Sequence, residues 1–345
     1  MTDGALERLD ALRHEAVRQV TDACMSAQPE IESRFGVRGR EACGEDIHFH
    51  LDFLRSALEA DDPSVFTRYL GWLARVLESR GVPVDSLPLS LDALREFYES
   101  RLGADAAGIS GMLAEARCAL DAGLDPPVYD QPCPSPWEEA EAFREAALAG
   151  DRAGAAEVFK LALARSGSLH EAEVHVIQPA MYEIGRLWQE NMVSVAQEHL
   201  ASAIAQTLMA QAYGLTGPTD TVDRSALFAC SAGNQHAIGL RMVADAFEYA
   251  GWTVHFLGAN TPSAALIQHA RAFNPDIIGL SASLPYQLKG VRETVGALRD
   301  ALGPDCPRIV VGGLVFNQFP ELAEAVGAEL LGADSVSSVA ALVAA

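Results

Sequence analysis

"SAGNQHAIGLRMVADAFEYAGWTVHFLGANTP", residues 231–262, is the stretch that decides the fold. A short apolar run, "SALFAC", leads into it, an amphipathic helical pattern follows from Ile238, and "TVHFLG" comes next. Buried strand, helix and strand are the natural reading of that order. It places His236 in the turn between strand and helix, with Gly233 and Gly239 on either side. The alternation continues. Strands are read at "ALFACS", "TVHFLG", "DIIGLSAS", "RIVVGG" and "AELLG", with helices starting near Ile238, Pro262, Leu288 and Pro320. Thr261-Pro262 reads as a capping residue followed by proline at the first helical position. Repeated strand–helix units predict a doubly wound, parallel five-stranded sheet over 224–345, with ligands at the carboxyl ends of its strands.

Upstream the period is helical. One block runs from Gly4 to about Leu124, with breaks expected near residues 34–46, 60–64 and 80–90. A second runs from Trp137 to about Tyr213. Between them, "DPPVYDQPCPSP" holds five prolines in twelve residues and reads as a linker. The divisions are therefore 1–128, a linker at 129–136, 137–217 and 224–345. Composition narrows the class. Hydrophobic residues are 49 % and charged ones 21 % of 345, as in soluble globular proteins. A net charge of −22 argues against nucleic acid and anionic membranes as partners, since both need clustered Lys and Arg. Six scattered cysteines with no CxxC pair suggest neither a zinc knuckle nor a disulfide framework. With no signal-peptide core and no apolar run long enough for a membrane span, a cytoplasmic location is expected.

Three elements end on one edge of the predicted sheet. They are Asn234-Gln235-His236-Ala237-Ile238-Gly239, then Ser281-Ala282-Ser283 after forty-one residues, then Gly312-Gly313 after twenty-eight more. Together they outline an imidazole able to reach a metal, above a slot where glycines admit a bulky group. This constellation resembles the cobalamin-binding module of methionine synthase, corrinoid mutases and cobalamin photoreceptors. The resemblance implies His236 as the lower ligand to cobalt and a nucleotide-tail slot lined by Ser281, Ser283, Gly312 and Gly313. Two positions depart from the family pattern: Asn234 stands for an acidic residue and Ser283 for a leucine. Asn234 can still accept a hydrogen bond from the imidazole and orient it, though a neutral amide makes the ring less basic.

In the second helical block, Val174, Ile177, Met181, Ile184 and Trp188 share one face, which reads mostly as core. Ser194-Val195-Ala196-Gln197 is a capping box opening the next helix, and the short link makes the pair antiparallel. Trp188 thus comes beside Glu198 and His199. Trp, nine residues, Glu-His is similar to the cap signature of CarH-like adenosylcobalamin photoreceptors. The resemblance implies that Trp188 covers the adenosyl group, that Glu198 and His199 line the same cavity, and that light moves the cap. Where that family has a cobalt-ligating histidine directly after the Trp, this chain has Gln189.

The first block carries no basic DNA-binding pattern. Its helix "GEDIHFHLDFLRSALEA" puts Ile47, Leu51, Leu54 and Leu58 on one face, with His50 beside them and Phe49 and Phe53 flanking. Phe66, Tyr69, Leu70 and Leu77 follow, with Arg68 and Arg75 nearby. A packed or dimerising bundle with His50 in its core is one reading. The other is a tetrapyrrole pocket, in which aromatics stack on the macrocycle, arginines hold propionates, and His48 or His50 contacts pyrrole nitrogens or a metal. The whole arrangement resembles the photocobilins, which bind a bilin and cobalamin. The expected fold class is α + α/β: a globin-like helical domain, a four-helix-bundle cap and a flavodoxin-like (Rossmann-like) sheet. The expected function is light sensing without enzymatic activity. Adenosylcobalamin and biliverdin are the expected cofactors, and a homodimer or a downstream signalling protein the expected partner. A corrinoid methyl carrier and a haem-based gas sensor are the alternatives.

Overall fold

The computed structural model describes residues 3–124, 134–213 and 221–343; most of the expected linker, Cys133 included, lies outside them. The chain divides into two compact units, Met1–Val128 and Tyr129–Ala345.

The first unit is helical: α1 (Asp3–Ala27), α2 (Pro29–Ala60), α3 (Pro63–Ser79), α4 (Ser86–Leu102) and α5 (Ala107–Ala122). The break expected in residues 34–46 is a kink instead. Gly36 takes φ 62° and ψ −150° inside α2, a conformation open to glycine, and the helix resumes at once. At the next break the Asp62 carboxylate accepts from Ser64 N at 2.8 Å and Pro63 opens α3. Ile47, Leu51, Leu54 and Leu58 are buried, the face that the periodicity predicts.

The second unit starts as a helical bundle of α6 (Glu139–Ala149), α7 (Arg152–Ser166), α8 (Leu169–Ala172), α9 (Gln178–Gln189) and α10 (Val195–Ala212). A π turn at Glu173–Ile177 joins α8 to α9 in one rod, which makes four rods in all. Phe143, Phe159, Ile177, Ile184, Ile204 and Leu208 form the bundle core. The predicted capping box is present: Ser194 Oγ accepts from Gln197 N at 3.3 Å, and Gln197 Oε1 accepts from Ser194 N at 3.1 Å.

The bundle leads into an α/β domain. Its strands are β1 (Ser225–Cys230), β2 (Thr253–Phe256), β3 (Ile277–Ser281), β4 (Arg308–Gly312) and β5 (Glu329–Leu330). All pair in parallel in the order β2-β1-β3-β4-β5, the expected doubly wound sheet. Helices α11 (Ile238–Tyr249), α12 (Ser263–Phe273), α13 (Leu288–Leu302), α14 (Leu314–Gln318), α15 (Leu322–Ala325) and α16 (Ser335–Val343) connect and finish it. The α12 start lies one residue later than the sequence signal: Pro262 is the N-cap, and the Thr261 hydroxyl turns back to the Gly258 carbonyl at 3.5 Å. Among the described residues no helix is long and apolar enough to cross a membrane.

Candidate functional site

The order of the sheet reverses between β1 and β3, and there the loops after the two strands part to opposite sides. Register brings the strand ends level, with Cys230 opposite Ser281 and Ser281 opposite Gly312. The loop from β1 to α11 therefore opens beside the ends of β3 and β4. Asn234 anchors it. Its side chain is fully buried, and Nδ2 donates to the Ser281 carbonyl at 2.9 Å. That contact fixes which end of the amide is oxygen. Oδ1 then accepts from His236 N at 3.1 Å and lies 3.3 Å from His236 Nδ1. The Nδ1 proton of His236 is thereby assigned, and the Nε2 lone pair is left free of hydrogen bonds among the described residues.

His236 and Gln235 are exposed, Ala237 and Ile238 half-buried, and Gly239 exposed in the first turn of α11. Protein surrounding the accessible His236 ring lowers its basicity by desolvation, while the charge of Glu198 in α10 acts in the opposite sense. Glu198 of the helical bundle thus lies within electrostatic reach of the His236 loop. Glu198 accepts from Ser202 Oγ at 2.8 Å and touches the exposed His199 ring through Nδ1. Trp188, near the end of α9, is half-buried.

The two glycines differ in kind. Gly313 has φ 96°, and a Cβ there would come within 2.3 Å of the Ala282 carbonyl oxygen. The chain's own turn requires it. A Cβ at Gly312 would meet nothing within 4 Å, so this position keeps space open at the end of β4. Ser281 and Ser283 are buried beside it, and Ser283 N donates to Gln287 Oε1 at 2.8 Å. Gln287 Nε2 reaches the Gly233 carbonyl at 3.2 Å, and Asn260 Oδ1 accepts from Gly233 N at 2.8 Å. Asn260 and Gln287, which tie three loops together, escaped the sequence reading. An Asn shortly after a loop glycine is a weak signal for the first, and nothing marks the second. Ser231 Oγ, at the head of the loop, is buried without a hydrogen-bond partner among the described residues.

In the first unit His50 is enclosed, at 1 % exposure. Ser90 Oγ donates to the Leu87 carbonyl at 2.8 Å and so accepts from His50 Nε2 at 3.0 Å. Tyr69 Oη then donates to Nδ1 at 2.8 Å. Both ring nitrogens are used. Burial drives the basicity of His50 down to about 3. Phe53 stacks on Tyr69 with ring centroids 3.9 Å apart, while Arg68 and Arg75 are exposed. The expected aromatics therefore do gather at His50, through Tyr69, whereas the expected arginines stay at the surface. His48 is half-buried, and Phe49 beside it is 43 % exposed.

Comparison with known proteins places these observations. Residues 224–339 match a model described as a B12 binding domain, and residues 139–213 match a second model of the same description. The HTH-type transcriptional repressor CarA of Myxococcus xanthus is 35 % identical over 138 residues, 40 % of this chain and 46 % of that one. CarH of the same organism is 28 % identical over 189 residues, 54 % of this chain and 62 % of CarH. A dimethylamine corrinoid protein of Methanosarcina barkeri is 30 % identical over 108 residues, 31 % of this chain and 50 % of the relative. The chain thus spans about half the length of the curated relatives that it matches. In fold, the chain is similar to the monomethylamine corrinoid protein of M. barkeri, with a TM-score of 0.53 at 18 % identity, over 60 % of this chain and 99 % of that one. Residues 139–213, which are helical, and 224–339, which are α/β, thus each match a B12-binding-domain model, one after the other along the chain.

Proposed function

We propose that the second unit is a light-responsive adenosylcobalamin sensor in which His236 Nε2 is the lower cobalt ligand and the bundle is the lid. The residues fit such a group. A lone pair stands free while Nδ1 is held, Ser231 Oγ is buried without a partner, and Gly312 leaves the strand end open. When bound, adenosylcobalamin supplies a cobalt–carbon bond that light breaks. Asn234 orients the imidazole, and Ser281, Ser283 and Gly312 border the space for the nucleotide tail. Trp188, Glu198 and His199 belong to the lid, and with Gln189 after the Trp a second histidine ligand would have to come from His199. The observation carrying this reading is the exposed His236 ring, oriented through Nδ1 by the buried Asn234, and the charge of Glu198 reaching it from the bundle supports it.

The likeness to a dimethylamine corrinoid protein favours a second reading, a methyl carrier. Absorption spectra of the anaerobic, adenosylcobalamin-loaded protein before and after green light, with its elution volume, separate the two. The sensor gives a histidine-ligated spectrum that changes with light together with molecular shape. A carrier keeps its shape and exchanges methyl groups with a methyltransferase.

For the first unit we propose a biliverdin site on the surface carrying His48 and Phe49. These combine an imidazole without side-chain hydrogen bonds among the described residues and an exposed aromatic ring. Biliverdin added to the purified protein should produce a red-absorbing band that H48A removes. A sharp Soret band from bound haem, with no biliverdin uptake, replaces this reading with a haem sensor.

A further inference from the structure

Bundle and α/β domain meet along α11, the helix that leaves the His236 loop. Met242 of α11 belongs to the bundle core, with Ile238 and Tyr249 packed against it. One turn from Met242 the same helix carries Asp245, whose side chain is fully buried. Glu173, in the π turn between α8 and α9, is also fully buried and lies against Asp245. Neither Glu173 oxygen has a hydrogen-bond donor among the described residues. Arg241 Nε is 2.7 Å from Asp245 Oδ1, a charge contact that balances one carboxylate. Two carboxyls and a single guanidinium leave one negative charge without compensation in a buried joint.

We propose that Glu173 and Asp245 share a proton that latches the helical bundle to the α/β domain, and that opening this joint releases the proton to water. In the closed joint the Glu173 carboxyl donates to the Asp245 carboxylate, which Arg241 neutralises. In the open joint Glu173 is hydrated and ionises, its proton passes to solvent, and Asp245 keeps Arg241. Burial first, and then the charge of Asp245, push Glu173 well above the usual carboxylate range. Sequence spacing alone does not bring these residues together; the π turn does, a device common at functional positions.

Among the described residues the surroundings supply no second cation for Glu173. On α11, Glu248 carries a raised pKa of its own and bonds the Tyr213 hydroxyl near the end of α10. Tyr213 and Phe256 of β2 flank Arg241, with its guanidinium carbon 5.6 and 5.5 Å from their ring centres. From α8, His170 is made less basic by burial and faces Asp334 and Ser335 at the start of α16. His175 of the π turn contacts the Ser135 carbonyl and Glu171. Arg144 of α6 pairs with Glu141, and Arg186 of α9 with Glu183 and Glu190.

The latch is a property of the joint and does not depend on which corrinoid sits at His236. Above the pKa of an exposed glutamate, about 4.3, the open joint gives up a proton that the closed joint keeps, so rising pH favours opening. Hydrogen exchange of the full-length protein in the dark, corrected for intrinsic rates, tests this between pH 6 and 8.5. The opening constant of peptides covering 169–189 and 238–249 should rise about tenfold per pH unit, the slope for one proton. E173Q should flatten that slope, because its amide donates to Asp245 without a titratable proton. E173M should flatten it as well and tolerates the apolar surroundings if E173Q folds poorly. A flat profile in the wild-type protein, or an unchanged slope in either variant, overturns the proposal.

Discussion

His50 and His236 are the same side chain put to opposite uses. His50 lies in a helical core, with Tyr69 donating to one nitrogen and Ser90 accepting from the other. His236 stands on an exposed loop, with Asn234 holding one nitrogen and the other left free. A saturated imidazole serves as a structural joint, whereas a half-saturated one on an exposed loop keeps a nitrogen with which it can bind a metal or another donor. Both rings lose basicity to desolvation, so the shift alone does not tell the roles apart. The count of free ring nitrogens does.

The contrast breaks most sharply at His236. H236A should lower cobalamin retention by about a hundredfold or more and abolish histidine-ligated absorption, with the thermal midpoint little changed because the ring is exposed. Equilibrium dialysis with the spectrum of the retained corrinoid checks it, and a surviving imidazole-ligated spectrum defeats the assignment. H50A should do the reverse. It strands the buried Tyr69 hydroxyl and empties a ring's volume, at a cost of about 2–4 kcal/mol to the first unit. Urea denaturation reads that loss, and cobalamin binding should be unaltered. The pH dependence has a definite sign. The unfolded chain binds a proton on this histidine below about 6.5, whereas the folded one does so only near 3. Stability of the first unit is therefore full above pH 6.5 and falls as pH drops toward 3, and H50A should flatten that acid limb.

Sequence carried the α/β half well because its signals are local. Apolar runs such as "DIIGLSAS" carry the strands, Ser281 and Gly312 end theirs, and His236 falls in the loop after β1, positions that follow from the pattern. The helical half was less readable. A glycine-rich segment looked like a loop and is only a kink at Gly36. Tertiary packing around Leu314–Gln318 forms a short helix from residues with strand-like composition, so the helix expected from Pro320 is preceded by an unforeseen one. The aromatic positions of α2 and α3 were legible as a cluster. Their stacking on one another around Tyr69 was not, because periodicity gives a face but not what fills it. Asn260 and Gln287 act through loop-to-loop contacts that no spacing rule encodes.

Trp188 sharpens the comparison within the second unit. It is half-buried near the end of α9, unlike Ile184 one turn earlier, which is fully buried in the bundle core. I184A should cost about 3 kcal/mol of stability, the usual price of a large core deletion. W188A should cost less in stability. On the proposed sensor reading, in which Trp188 belongs to the lid, it should change the yield and rate of light-induced corrinoid conversion severalfold. Photolysis under anaerobic conditions, read by absorbance, together with thermal melts, tests the pair. Equal destabilisation with unchanged photoproducts would return Trp188 to the ordinary core.

The smallest effect belongs to Asn234, and its sign is mixed. A carboxylate in its place would hold the His236 Nδ1 proton more strongly and raise the ring's donor strength. The same substitution removes the Nδ2 donor and sets a carboxylate oxygen against the Ser281 carbonyl, now 2.9 Å from the amide nitrogen. N234D should therefore bind a corrinoid through His236 severalfold more tightly once the loop is formed, while the second unit loses about 1–3 kcal/mol from the broken tie to β3. N234A loses both contacts and should weaken ligation and stability together. Corrinoid titrations and thermal melts of the two variants separate the roles. Because the amide alone can donate to β3 while accepting from the imidazole, N234D and N234A should move in opposite directions in affinity and in the same direction in stability. Parallel losses of affinity would mean that the tie to Ser281, not the hydrogen bond to His236, governs ligation.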